Sequence, residues 1–321
     1  MDSIPTDPAD EMPVEAVLRE ELAHGDTVLG TIGPILGHLL AQHDHSLFSD
    51  EIVARVRGMT RHVAHQILTV QGSEEAPAAT LPEVDSPLEA RLAALLAGNM
   101  NFLVHCHAMA LEAQLARRLE ERSAIDPVLS PLMQALIASD DPATATTGMA
   151  ALAAQARFMQ QQRRMELPLG ELPADLFHSA LTIWRTISGT GDGDSADGAE
   201  QTLRNAYDEG ASRLGLLARL ISGLGSGVTA ALSISHAGTA LFLTALANAS
   251  RQERDLTVLA TNDSQLARMA LSLRAAGLRS KDVEEQFLYL HPEVALPDGF
   301  DFLRGDRAAG LLASSVRRSA G

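Results

Sequence analysis

Apolar side chains recur with a period of three to four residues along most of the chain, and no paired segments show the alternation typical of β-strands. Pro34 suits a first helical turn and is followed by apolar residues at this spacing, which predicts a helix start there. A second helix is predicted over about 50–71, where acidic residues precede an apolar stripe. The pattern therefore predicts an all-α fold, a helical bundle organised as two helical domains, with irregular stacked helical repeats as the alternative architecture.

Capping residues and prolines mark further helix starts downstream. Ser86-Pro87-Leu88-Glu89 places a capping serine, a proline and a glutamate at the positions that favour a helix N-terminus. Two apolar seams follow, and they predict one long helix over 87–122. Asp141-Pro142 repeats the start signal and predicts a helix over about 142–165.

Changes in composition predict the domain organisation. Prolines between acidic residues favour disorder at the N-terminus, and a cluster of glycine, serine and aspartate is typical of a flexible linker. The predicted segments are a disordered acidic arm (1–13), an N-terminal helical domain (14–188) with an internal loop (72–86), a linker (189–197) and a C-terminal helical domain (198–321).

Charge and cysteine content narrow the classes of function. The chain has 41 acidic and 25 basic side chains, a formal net charge of −16, so we do not expect a nucleic-acid partner. Cys106 is the single cysteine, which excludes an intrachain disulfide and is typical of a reducing compartment. The first residues combine acids with proline, unlike a secretory leader. These features predict a cytoplasmic protein.

Histidines are concentrated near the N-terminus and suggest a metal hypothesis. Eight of the eleven lie in the first 107 residues, and Glu21-Leu22-Ala23-His24 is a Glu-x-x-His pair of the kind that di-iron bundles use twice. His43-Asp44 resembles the central dipeptide of the HD metal-dependent phosphohydrolases, which implies an all-helical metal enzyme. The candidate ligands of iron, zinc or manganese are His24, His38, His62, His65 and His105. Histidines on helices more often form local hydrogen bonds, and no bound cofactor is our first expectation.

A basic face on the predicted 142–165 helix is the candidate partner-binding site. Arg157, Gln161 and Arg164 follow one another at spacings of four and three, which places them on one side of a helix. Guanidinium groups bind carboxylates or phosphates through two parallel hydrogen bonds. The alternative is an ordinary solvated helix face.

Residues 220–250 carry no charged side chain and are long enough to cross a membrane. Small residues dilute the large apolar ones, so we predict two buried helices there and keep membrane association as an alternative.

No set of residues in the sequence has the spacing of a known catalytic site. The leading hypothesis is a helical protein–protein interaction or regulatory protein without catalytic activity, and the rival is a metal-binding protein or metal-dependent hydrolase. A homo-oligomer is compatible with either hypothesis.

Overall fold

The computed structural model describes residues 13–41, 50–75, 87–188 and 193–319. These residues are mostly α-helical and include no β-strand, so the predicted all-α class is confirmed. The α-helices of the described residues are α1 (Pro13–Ala41), α2 (Asp50–Glu75), α3 (Pro87–Ala97), α4 (Met100–Ser123), α5 (Pro131–Ile137), α6 (Pro142–Arg164), α7 (Ala174–Arg185), α8 (Gly193–Ala206), α9 (Arg213–Gly223), α10 (Ile234–Ser250), α11 (Arg254–Leu259), α12 (Leu266–Ala275), α13 (Ser280–Leu290) and α14 (Gly305–Ser319). Short 3₁₀ helices lie at Leu169–Glu171, Glu209–Ala211, Gly225–Leu232, Asp263–Gln265 and Phe300–Phe302.

The chain forms two compact units, each discontinuous in sequence. The terminal unit consists of Met1–Thr31, Leu115–Leu132 and Leu224–Gly321, and the central unit consists of Ile32–Gln114 and Met133–Gly223. The residues on both sides of the predicted 189–197 linker belong to the central unit, and α8 already begins at Gly193. The domain division predicted at this segment stays a prediction.

Several helix boundaries differ from the sequence expectation. α1 runs without interruption through Pro34, which we had expected to start a helix. α2 extends to Glu75 and so includes the first residues of the predicted 72–86 loop. Residues 1–12 of the predicted arm, 76–86 of the loop and 189–192 of the linker lie outside the described residues.

The predicted long helix over 87–122 is wrong, because the chain bends by 91° between α3 and α4. Gly98 and Asn99 form the bend. The Asn99 side-chain oxygen accepts a hydrogen bond from the Phe102 amide at 3.1 Å, so Asn99 caps a new helix. The helix predicted over 142–165 is confirmed as α6, which ends one residue earlier.

The core of the central unit is built around α2. Val56, Met59 and Val63 are fully buried on this helix, which packs against α3 and α8. Trp184 of α7 is also fully buried, and its indole N–H donates to the Gln71 side-chain oxygen of α2 at 3.0 Å. Because the indole N–H forms this hydrogen bond, its burial in the apolar core costs little free energy.

The terminal unit has its core between α10, α12 and α14. The Arg268 guanidinium, almost completely buried, forms an ion pair with Asp26 and donates to the Ser315 hydroxyl at 2.8 Å. A second ion pair joins Arg307 to the buried Glu15 at 2.8 Å. Residues near the two ends of the chain therefore hold the unit together.

The uncharged segment over 220–250 is only partly buried, contrary to the prediction of two buried helices. Most of α10 is buried, but the 3₁₀ helix Gly225–Leu232 is largely exposed before Ala231. Its small side chains offer little apolar area to bury, which is the physical reason for the difference. Within the described residues, no single helix has the length and hydropathy of a membrane span. Two pairs of helices reach these values only when they are taken together, and each pair is sharply bent: Pro87–Ala97 with Met100–Ser123, and Arg213–Gly223 with Gly225–Leu232.

Candidate interaction surface

Helix α6 begins and ends at well-defined capping residues. The Asp141 carboxylate accepts a hydrogen bond from the Thr144 amide at 3.0 Å, and Pro142 occupies the first turn. Hydrogen bonds from Thr144 hold the pKa of Asp141 below its usual value. At the other end Met165 has a left-handed conformation (φ 59°) and its amide bonds back to the last turn. α6 therefore has a fixed start and a fixed end.

The buried side of α6 is held by an arginine from α9. Arg213 and its ion-pair partner Glu112 on α4 are each about 1% exposed, and their two contacts measure 2.7 and 3.0 Å. The same guanidinium donates to the Gln155 side-chain oxygen at 3.1 Å and lies 3.7 Å from the ring centre of Phe158. Because Gln155 and Phe158 are on α6, this one side chain ties α6 to α4 and α9.

A second arginine fixes the C-terminal half of α6. Arg55 of α2, 5% exposed, donates to the Gln162 carbonyl and pairs with Glu51 at 2.8 Å. The Gln162 side-chain amide approaches the Met59 sulfur at 3.4 Å. The rotation of α6 about its own axis is set by these contacts, and so is the face that it turns to solvent.

The opposite side of α6 forms a continuous exposed stripe, which we call the α6 surface. Its N-terminal half consists of small and apolar side chains and its C-terminal half is polar and basic, with Met149 54% exposed. The exposed members, at helical spacing, are Thr146, Met149, Ala150, Ala153, Arg157, Gln160 and Arg164. Met149 is the one large apolar side chain on this stripe, where it stands among small residues.

The sequence-predicted partner-binding residues lie on this surface or beside it. Arg157 and Arg164 are exposed on the stripe, and Gln161 is half-buried at its edge. Within the part of the chain that the structure describes, neither arginine forms an ion pair or a side-chain hydrogen bond. No described carboxylate therefore occupies either guanidinium group. The neighbouring Met149 was missed by the sequence analysis, because a methionine on a helix is usually buried.

Two of the histidines predicted as metal ligands, His62 and His65, contact neighbouring protein groups. His62 lies on α2 with its Nδ1 atom 2.9 Å from the Leu167 carbonyl oxygen and 3.1 Å from the Leu167 amide. His65 contacts the Glu89 carboxylate at 2.9 Å. Both rings thus join α2 to neighbouring segments of the central unit.

The remaining three candidates are placed as follows. His105 is 1% exposed on α4, and His38 is exposed on α1. His24 lines a groove of about 650 Å³ in the terminal unit, together with Glu21 and Asp263. In the described ranges, no group of three or more histidine, cysteine, aspartate or glutamate side chains is arranged to hold a metal ion. His43 and Asp44, which carried the resemblance to the HD phosphohydrolases, lie outside those ranges.

Comparisons with known proteins add no further assignment: no family model matches this chain, and neither a curated protein nor a solved structure matches it.

Proposed function

We propose that this chain is a non-catalytic helical binding protein, and that its α6 surface docks a partner helix carrying small apolar and acidic side chains. The observation that carries the proposal is the exposed stripe of α6, on which Met149 is followed by Arg157 and Arg164. Neither arginine has an ion-pair partner among the described residues. We place this role in the cytoplasm, in keeping with the single cysteine.

The N-terminal half of the α6 surface suits a closely packed helix. Thr146, Ala150 and Ala153 present little bulk, so the backbone of a second helix can approach closely. Met149 is long and flexible, and a thioether side chain adapts to irregular apolar surfaces. Methionine is also enriched at protein interfaces relative to other exposed surface.

The basic half gives the surface its charge preference. Arg157 and Arg164 lie two turns apart, and each guanidinium can bind a carboxylate through two hydrogen bonds. In a chain of net charge −16, two arginines beside apolar residues are a local exception to the overall repulsion of acidic partners. We therefore assign acidic residues to the partner segment that contacts this half.

The experiment compares partners captured by the full-length chain and by three variants. One variant reverses the charges (Arg157→Glu with Arg164→Glu), and one places a charge in the apolar half (Met149→Asp). The control reverses two other exposed arginines, Arg91→Glu on α3 and Arg122→Glu on α4, neither of which is on α6. We expect a partner whose recovery falls in both test variants and is kept in the control.

Charge exchange then tests the contact itself. The captured partner's binding segment is mapped, and its acidic residues are changed to arginine. Binding to the Arg157→Glu, Arg164→Glu variant should return while binding to the unmodified chain is lost. The proposal fails if capture is equal in all variants, or if the mapped segment is basic or non-helical.

A further inference from the structure

A small pocket in the central unit lies between the end of α1 and the facing sides of α2 and α3. Its volume is about 200 Å³, and none of its lining residues is on α6. Its walls include Leu40 of α1, Arg57 and Arg61 of α2, and Ala93, Ala94 and Ala97 of α3. The pocket is therefore separate from the α6 surface.

The sequence of α3 explains why there is space at this position. Leu92 and Leu96 are fully buried and bring α3 against α2. The alanines beside them carry only a methyl group each, so they leave a gap where larger side chains would close the interface. The α3 wall of the pocket is thus apolar, with methyl groups as its main surface.

The two arginines give the pocket a positive charge. Arg57 and Arg61 are four residues apart on α2 and so project from the same face, where two like charges repel each other. Among the described residues, no aspartate or glutamate lines the pocket. The Thr60 hydroxyl is already bonded to the Val56 carbonyl at 2.7 Å.

Within the described residues, the two guanidinium groups have N–H donors that can still bind an anion. Arg57 reaches the Leu39 carbonyl only at 3.5 Å, which is a weak hydrogen bond. Arg61 is exposed and forms no ion pair or hydrogen bond within the described ranges. An anion held by both groups would remove their repulsion and satisfy their free N–H donors.

We propose that this pocket binds a small monocarboxylic acid with a short unbranched apolar tail, the carboxylate against Arg57 and Arg61 and the tail against Leu40 and the α3 alanines. Pockets for drug-sized ligands measure about 300–1,000 Å³. A cavity of about 150 Å³ can hold benzene, so about 200 Å³ suits a molecule of roughly eight non-hydrogen atoms, the size of hexanoate. This inference does not rest on the proposed role of the α6 surface.

The test is equilibrium dialysis of the full-length chain with radiolabelled hexanoate. Saturable binding at one site per chain is expected. Acetate, which lacks the tail, and inorganic phosphate should compete at least about tenfold more weakly than unlabelled hexanoate, because a tenfold ratio corresponds to the loss of about one good contact. Hexylammonium, which has the same tail and the opposite charge, should not compete.

Two variants and their matched controls locate the site. Arg61→Gln should weaken hexanoate binding by about tenfold or more, and Ala94→Phe, at an exposed position, should abolish binding by filling the pocket. Arg91→Gln and Ala138→Phe make the same changes at exposed positions outside the pocket and should leave binding unchanged. Absence of saturable binding, equal competition by hexylammonium, or undiminished binding in the two pocket variants would overturn the proposal.

Discussion

Arg213 and Glu112 form a bidentate ion pair although they are 101 residues apart in the chain, and each is about 1% exposed. Gln155 accepts a further hydrogen bond from the same guanidinium, and the Glu171 carboxylate accepts from the Arg213 backbone amide at 2.8 Å, which fixes the main chain beside the pair. Such a pair is costly to break, because removal of one partner leaves the other charge buried without compensation. The orientation of the α6 surface depends on it.

The first prediction concerns this pair. Arg213→Met or Glu112→Leu should each lower the free energy of unfolding by about 3–5 kcal/mol, because each leaves the other charge buried without its partner. The double variant Glu112→Leu with Arg213→Met replaces both charges by apolar groups of similar volume and should lose less than either single variant. Urea unfolding followed by circular dichroism measures all three. Additive losses in the double variant would show that the two side chains do not act as a buried pair.

The second prediction concerns His107, whose burial on α4 lowers its pKa from 6.5 to about 4. The unfolded chain binds this proton more readily, so the contribution to stability is complete above about pH 6.5, falls as the pH drops, and levels off below about pH 4. The shift corresponds to about 3 kcal/mol. His107→Gln should flatten the dependence of unfolding free energy on pH over this window, whatever its effect at pH 7.

An exposed histidine on α1 provides the comparison for His107. His38→Gln should leave the pH dependence close to that of the unmodified chain. If both variants keep the same slope between about pH 6.5 and about pH 4, the burial of His107 does not contribute to acid destabilisation.

The third prediction uses Trp184, the single tryptophan, as its own reporter. Gln71→Leu removes the acceptor of the buried indole N–H and should lower the unfolding free energy by about 1–3 kcal/mol. The fluorescence emission of Trp184 measures unfolding in urea. Gln160→Leu makes the same change on an exposed face of α6 and should alter stability by no more than about 0.5 kcal/mol. Equal effects of the two changes would contradict the role of this hydrogen bond.

The fourth prediction concerns the backbone of α10. Gly238 has φ 69° and ψ 170°, a region open essentially to glycine, and an added Cβ would lie 2.8 Å from the Ser130 Cβ. Gly238→Ala should therefore cost at least about 1–3 kcal/mol. At Gly310 of α14 such a Cβ would meet nothing within 4 Å beyond the adjacent backbone of its own helix, and Gly310→Ala should stabilise by up to about 1 kcal/mol. Thermal unfolding should thus move in opposite directions for the two variants.

The sequence predicts features that depend on adjacent residues, such as a helix cap, better than it predicts the length of a helix. Asp141 and Pro142 act only on adjacent backbone groups, so the start of α6 is readable directly from the sequence. The bend at Gly98 and Asn99 was not predicted because the apolar seams continue across it. α4 is also fixed by a distant residue, since its Glu112 pairs with Arg213, 101 positions further along the chain. Pro34 was misread because proline is tolerated within α1 as well as at a helix start.

For the candidate sites too, the sequence predicts local spacing but not what depends on tertiary packing. The spacing of Arg157 and Arg164 was enough to place both on one face, but their exposure depends on Arg213 and Arg55 holding the other side of α6. The pocket beside Arg61 has no sequence signal, since two arginines four apart look like an ordinary solvated face. The pocket lies between three consecutive helices, but the space between them depends on how their side chains pack, which the pattern of apolar and polar positions does not specify.

The ion pair between Glu15 and Arg307 joins residues 292 positions apart, and Asp26 pairs with Arg268 across 242 positions. At a translation rate of about 5–20 residues per second, a ribosome needs roughly 15 to 60 s to make the chain between Glu15 and Arg307. Throughout that interval the apolar side of the first helix has emerged without the C-terminal helices that cover it. The terminal unit therefore cannot complete its packing until the helices that carry Arg268 and Arg307 have been synthesised.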